Sequence, residues 1–360
     1  MRMRQDLRFL GTVAGCCALI LFMAGCDAAT SSLAGYSLPT QGTNVPTNTP
    51  TVQATSIPTG TPTPGQSASA PTATPAPQQS ATPPAAPPAA PSASSKGVSV
   101  AFDVAFDLAT ATPWNDITED NLFALETTAG SGLDTSSEGI SSMNVPQWVA
   151  NVHSHHRLAL ITIGGIDDQH WEIACDDTYR SAFVANLVNY MKTNGFDGID
   201  LDIEDDKWSA EGPPSAAMTT CVEAIATATP AATTAAGARP VVTEDVTTPW
   251  MGSWIAPVQS YVDQFNLMTY GDTCANQCAT FASDIQQTIS QGLPKAKMVL
   301  GIDLIDSYPP AGDCGNIANY AAQQGLAGVM VWDIHEDSVL HNGSFPCFDQ
   351  LAPYVTQPGS

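Results

Sequence analysis

Within the stretch Phe196-Asp197-Gly198-Ile199-Asp200-Leu201-Asp202-Ile203-Glu204, three carboxylates fall at alternate positions of a segment that otherwise has the composition of a buried strand. Strand side chains alternate between faces, so Asp200, Asp202 and Glu204 share one side while Ile199, Leu201 and Ile203 line the other. The apolar side must face packing, and the acidic side must face something polar. Like charges roughly 6 to 7 Å apart on one strand face repel. The usual relief is that at least one carboxyl keeps its proton near neutral pH, which is what a general acid requires. Two plainer readings compete: a solvated edge strand with scattered acids, and a calcium site of clustered carboxylates. Ile199, Leu201 and Ile203 argue against the exposed edge. Against calcium, Gly198 precedes the acids rather than turning the chain among them.

A strand of this kind needs neighbours to bury its apolar side. Residues 96–360 read as one α/β domain, close to the roughly 250 residues of a (β/α)8 barrel. Strand patterns occur near Val98 to Phe102, Leu122 to Leu125, Leu158 to Ile163, Gly198 to Ile203, Val241 to Val246, Gln264 to Met268, Met298 to Ile302 and Gly328 to Trp332. Helical patterns lie between them. The clearest is Tyr179 to Lys192, where Phe183, Val184, Leu187, Val188 and Met191 form one stripe and Asn194-Gly195 supplies the stop. Strands alternating with helices indicate a parallel sheet, here closed into a TIM barrel. A doubly wound open sheet fits less well, because no Gly-rich phosphate loop follows the first strand. In a barrel the functional groups sit at the carboxyl ends of strands, and Glu204 falls at that end of the fourth.

Asp197-Gly-Ile-Asp200-Leu-Asp202-Ile-Glu204 resembles the D-G-x-D-x-D-x-E signature of glycoside hydrolase family 18, the chitinases and related endo-N-acetylglucosaminidases. Other segments extend the resemblance in the same order. Thr162-Ile-Gly164-Gly165 is similar to the family's S-x-G-G element, with Thr for Ser. Met268-Thr-Tyr270-Gly271 is similar to M-x-Y-D, with Gly271 at the Asp position and Asp272 following it. Gly328-Val-Met-Val-Trp332 is similar to the terminal strand that floors the reacting sugar.

The resemblance implies substrate-assisted catalysis, in which the acetamido oxygen of the substrate attacks the anomeric carbon. Glu204 would then protonate the leaving oxygen and later activate water. Asp202 would accept the acetamido N–H, and Asp200, deeper, would tune Asp202 by sharing a proton. Tyr270 would donate to the acetamido oxygen, and Trp332 would stack beneath the ring. Met268, Gly164, Gly165 and Asp272 complete the expected sugar-binding set. Trp208 and Trp250 follow the fourth and fifth strands, where they either stack on sugars or cover apolar loop area. Asp197, of opposite parity to the three acids, is expected to be structural. No cofactor or metal is implied. With no long insertion between the seventh and eighth strands, the cleft should be shallow.

Residues 1–25 place Arg2, Arg4 and Arg8 before an apolar run that starts at Phe9 and ends at Ala24-Gly25-Cys26. This reads as an export signal of the lipoprotein type, with Cys26 as the lipidated residue. A retained membrane anchor and a cleaved, unlipidated signal are the alternatives. From Ala28 to Ser95 no residue is charged, and Pro, Thr, Ser, Ala and Gln dominate. Residues 26–95 therefore read as a disordered spacer or glycosylated stalk. Six domain cysteines in an exported chain suggest three disulfides, for which we expect Cys274–Cys278, Cys314–Cys347 and Cys175–Cys221. The Cys274-x3-Cys278 spacing also suits zinc, but no matching pair follows closely. His153, His155 and His156 end a helical segment, with no acid beside them in sequence. The net charge of −24 lies almost wholly in the domain and opposes nucleic-acid binding.

The expectation is thus an extracytoplasmic, lipid-anchored monomer that hydrolyses β-1,4 links in chitin or other N-acetylglucosamine oligosaccharides. Action on N-glycan cores, a carbohydrate-binding lectin on the same barrel and a structural surface protein are the alternatives. Glu204 favours an enzyme over a lectin, and the acidic strand argues against a structural protein.

Overall fold

The computed structural model describes residues 97–109, 111–204, 216–231, 239–247, 256–274, 278–305, 309–310 and 312–355. The leader, Cys26, the spacer, Trp208 and Trp250 lie outside them. The strands are β1 (Val98–Val104), β2 (Glu119–Thr127), β3 (Leu133–Asp134), β4 (Leu158–Gly164), β5 (Gly198–Asp202), β6 (Val241–Val246), β7 (Gln264–Leu267), β8 (Met298–Asp303) and β9 (Gly328–Trp332). The helices are α1 (Val145–Ser154), α2 (Trp171–Ala174), α3 (Arg180–Asn194), α4 (Ala216–Ala231), α5 (Ala279–Ser290), α6 (Asp313–Gln324), α7 (Ile334–Leu340) and α8 (Pro346–Leu351).

Parallel pairing runs β1-β2-β4-β5-β6-β7-β8-β9 and closes back from β9 to β1, giving an eight-stranded barrel. All eight expected strands are present. β3 is a short antiparallel addition to β2. β2 begins earlier than its apolar run, because Glu119, Asp120 and Asn121 are buried within it. The helical stripe of residues 179–192 forms α3, which stops where Gly195 takes a left-handed conformation (φ 85°). Between β8 and β9 the described residues hold the single helix α6 and no additional lobe.

Two apolar regions hold this frame. The larger lies between strands and helices and takes the outward residues Ile161, Ile163, Ile199, Leu201, Val242, Phe265 and Leu300 with Phe183, Leu187, Met191 and Val222 of the helices. The smaller, Val100, Phe102, Val299 and Met330 with Phe123, Met268 and Trp332 against it, lies on the inward parity of β1, β2, β8 and β9. The opposite arc of the interior is polar. Glu119, Asn121, Thr162, Asp200, Asp202, Thr243, Asp245, Gln264 and Asn266 share the inward register and are all buried. At the amino-terminal end His153 Nε2 sits 2.7 Å from Asp197 Oδ2, and Asp197 also accepts the Ala159 N–H. This acidic partner was invisible in sequence because it lies 44 residues away.

The three disulfides form as expected: Cys175–Cys221, Cys274–Cys278 and Cys314–Cys347. The first spans 46 residues and the second only 4. Loop-closure entropy then ranks them, at about 4 kcal/mol for the first and about 2 for the second. Replacing Cys175 and Cys221 together by Ser should lower denaturant stability about twice as much as the same change at Cys274 and Cys278.

Burial of so many acids also sets a pH dependence. Desolvation lifts Glu119 to about 8, Asp333 to about 7 and Asp103 to about 6. Between their ordinary values and these, the folded state holds more protons than the unfolded chain, so stability falls as pH rises. Each such group contributes a slope of up to about 1.4 kcal/mol per pH unit. Calorimetry should show Tm falling from about pH 5 to about pH 8, with a shallower fall in Glu119→Gln; a Tm that rises across this range contradicts the reading.

Candidate active site

β5 carries the acids as the alternation requires. Asp200 is fully buried, Asp202 is 4% exposed and Glu204, just beyond the strand end, is half-buried. Ile199, Leu201 and Ile203 are fully buried on the other side. Asp200 is the best satisfied of the three. Its Oδ2 accepts the Thr162 hydroxyl at 2.9 Å, its Oδ1 accepts the Thr243 hydroxyl, and Asn266 Nδ2 reaches the same Oδ1 at 3.4 Å. These donors oppose the upward push that burial gives its carboxyl. Asp202 lacks such support: its Oδ1 is buried with no hydrogen-bond partner among the described residues. Burial, then Glu204 and Asp200, hold its carboxyl well above the ordinary range, which favours its protonated form.

The glycine pair at the end of β4 exists for close approach. A Cβ on Gly164 would lie 1.8 Å from the Asp202 carbonyl oxygen, and one on Gly165 would lie 2.8 Å from the Phe123 ring. Both have positive φ, 121° and 111°. The Gly165 N–H also donates to the Asp202 carbonyl at 2.8 Å, tying the β4 turn to the acid strand. Thr162, at the Ser position of the same element, is the Asp200 donor described above.

Tyr270 follows β7 on the same mouth, with 37% of its surface exposed. Its phenol touches Met330 Sδ at 3.9 Å and faces Asp245, Asp202, Glu204 and Asp303. Burial of the hydroxyl, then those acids, push its pKa well upward, so it remains a proton donor. Gly271 has φ 81°, and Asp272 has as its neighbours Asp284 and Thr280, rather than joining the acids around Tyr270. Trp332 ends β9 with its ring edge-on to Phe123 (4.7 Å) and Phe102 (5.6 Å), and Met268 packs on the same apolar group. The expected residues within the described part, Asp272 apart, thus meet at one barrel mouth: acids on one arc, Trp332 and Met268 on the other, Tyr270 between.

Sequence reading missed the rest of the polar arc. Asp245 on β6 lies beside Asp202 in register, and Asn266 on β7 lies beside Asp245 and donates to it at 2.8 Å. Asp303 ends β8 opposite Trp332. The available signal was a polar residue at inward parity in otherwise apolar strands, which is readable only once the register between strands is known.

A model of glycosyl hydrolases family 18 matches residues 122–309, more than half of the chain. Solved structures share the fold. A chitinase from Bacteroides thetaiotaomicron is 16% identical with a TM-score of 0.57, over 73% of this chain and 98% of that one. A chitinase from Rhizomucor miehei is 17% identical with a TM-score of 0.55, over 71% and 99%. A family 18 chitinase from Cycas revoluta, solved in complex with (GlcNAc)3, is 16% identical with a TM-score of 0.57, over 71% and 99%. A search of curated proteins finds no match. The family match runs from inside β2 to just past β8 and takes in the glycine pair, the acid strand and the Tyr270 turn. On that extent the chain belongs to glycosyl hydrolases family 18.

Proposed function

We propose that this protein hydrolyses β-1,4 bonds of chitin or chitooligosaccharides by substrate-assisted, retaining catalysis. The observation that carries the reading is the buried Oδ1 of Asp202, without a hydrogen-bond partner among the described residues, next to half-buried Glu204. A buried carboxyl oxygen without a donor is costly, and an acetamido N–H is the donor that a 2-acetamido sugar would bring to it. The Cycas revoluta chitinase, which shares the fold, was solved with (GlcNAc)3.

In this reading the sugar rests on Trp332 with its acetamido group toward Asp202. Accepting the N–H turns the acetamido oxygen toward the anomeric carbon, and Tyr270 donates to that oxygen as it becomes the nucleophile. Glu204 gives its proton to the departing glycosidic oxygen. An oxazolinium forms as the C–O bond to the leaving sugar breaks. Glu204, now a carboxylate, takes a proton from water, which attacks the same carbon from the face the leaving group occupied. Two inversions give net retention. Glu204 at the rim is the feature that a binding-only relative on this barrel would not need.

Fluorogenic chitobiose and chitotriose glycosides test this on the 96–360 domain. Glu204→Gln should lose at least about 1,000-fold in kcat, and Tyr270→Phe about 100-fold. Tight binding without turnover in the wild type would show a lectin instead. The same proposal places the domain outside the cell on a lipidated Cys26. Radiolabelled palmitate should label the full chain, and Cys26→Ala should abolish the label; an unlabelled wild type would show an unlipidated protein.

A further inference from the structure

The polar arc of the barrel holds one acid more than the ladder on β5 and the rim can account for. Asp245 stands on the inner face of β6, 3% exposed, beside Asp202 on one side and Asn266 on the other. Gln264 Nε2 donates to Asn266 Oδ1 at 2.8 Å, which fixes the amide with its NH2 group toward the acids. That NH2 group serves Asp245 Oδ1 at 2.8 Å and Asp200 Oδ1 at 3.4 Å. The Oδ1 atoms of Asp245 and Asp200 thus converge on one NH2 group, and Asp245 acts on Asp200 as a neighbour that lowers its pKa.

Two buried carboxyls joined in this way share a single proton, because two adjacent charges without a cation are too costly. Their surroundings are unequal. Asp200 accepts two threonine hydroxyls besides the amide, whereas Asp245 accepts from the amide of Asn266. The charge therefore belongs on Asp200 and the proton on Asp245. Burial, then Asp200 and Asp202, push Asp245 well above the ordinary carboxylate range. The titratable groups facing it are Asp200, Asp202 and Glu204 from β5 and the phenol of Tyr270 after β7.

We propose that Asp245 is a positioning residue of the reaction: as a neutral acid it donates to Asp200 and holds it as a fixed anion beneath Asp202. Asp200 then has no vacancy for the proton of Asp202, which stays with Asp202 through the cycle. Orientation of the acetamido group thus depends on a carboxyl that never touches the sugar. This inference rests on the substrate-assisted reaction proposed above.

Asp245→Asn and Asp245→Ala separate the roles, because the amide still donates to Asp200 and the methyl does not. In Asp245→Ala, Asp200 should take up a proton and release its hold on that of Asp202. We expect the alkaline limb of kcat/KM to move down by about one pH unit and kcat to fall at least about tenfold. Asp245→Asn should restore the limb and recover most of that loss. An unmoved limb in the Ala variant, or an Asn variant as impaired as Ala, overturns the proposal. Infrared difference spectra of wild type and Asp245→Asn at about pH 7 read the proton without substrate. The Asn variant should lack one protonated-carboxyl band, and an unchanged band overturns the assignment even if the Ala variant fails to fold. Because this readout needs no turnover, it stands apart from failure of the proposed activity, which would appear as an inactive wild type.

Discussion

The constraint on which the site depends is the burial of like charges on one face of β5. Asp200 and Asp202 are almost wholly inside the barrel, where the groups that act on them are hydroxyls, an amide and other carboxyls. Without a counter-ion, such a cluster is tolerable only if hydrogen-bond donors surround one member and protons neutralise others. The neighbouring strands meet both terms. Thr162 on β4, Thr243 on β6 and Asn266 on β7 turn their donors to Asp200. Burial pushes the carboxyls of Asp202 and Asp245 well upward, toward their protonated forms. The strand that looks least suited to a core is thus the one around which the interior polar arc is arranged.

The division of the barrel interior follows from this. One arc is apolar, with Phe102, Phe123 and Met330 supporting Trp332, and the other is a hydrogen-bonded acid network. A sugar ring has an apolar face and polar edges, so a mouth with an indole on one side and carboxyls on the other matches both. The closeness of the β4 turn to β5 fixes the height of the acids. Gly164 lets the turn lie against the Asp202 carbonyl at a distance that no side chain would permit, and Gly165 leaves room for the Phe123 ring.

Much of this was legible before the fold was known. Alternation of Ile199, Leu201 and Ile203 with the acids assigned both faces of β5, and apolar runs located the other seven barrel strands. The disulfide pairings were also anticipated. What sequence did not show shares one physical cause: it depends on register between strands or on contacts far apart along the chain. The closeness of Asp245 to Asp200 appears only when β5 and β6 are laid side by side, and the pairing of His153 with Asp197 only when the end of α1 meets the start of β5. Glu119 was passed over because a charged residue before an apolar run reads as a loop, whereas burial makes it a neutral acid inside β2. Asp272 follows the Tyr270 turn, but its neighbours are Thr280 and Asp284 of α5, a direction set by the left-handed Gly271.

The central claim is that the substrate's own acetamido group, oriented by Asp202, is the nucleophile. The anomeric form of the sugar first released from a chitooligosaccharide, followed by proton NMR before mutarotation, tests it most directly. Two displacements at the anomeric carbon predict the β-anomer. Initial release of the α-anomer would mean a single displacement by water and would contradict the account.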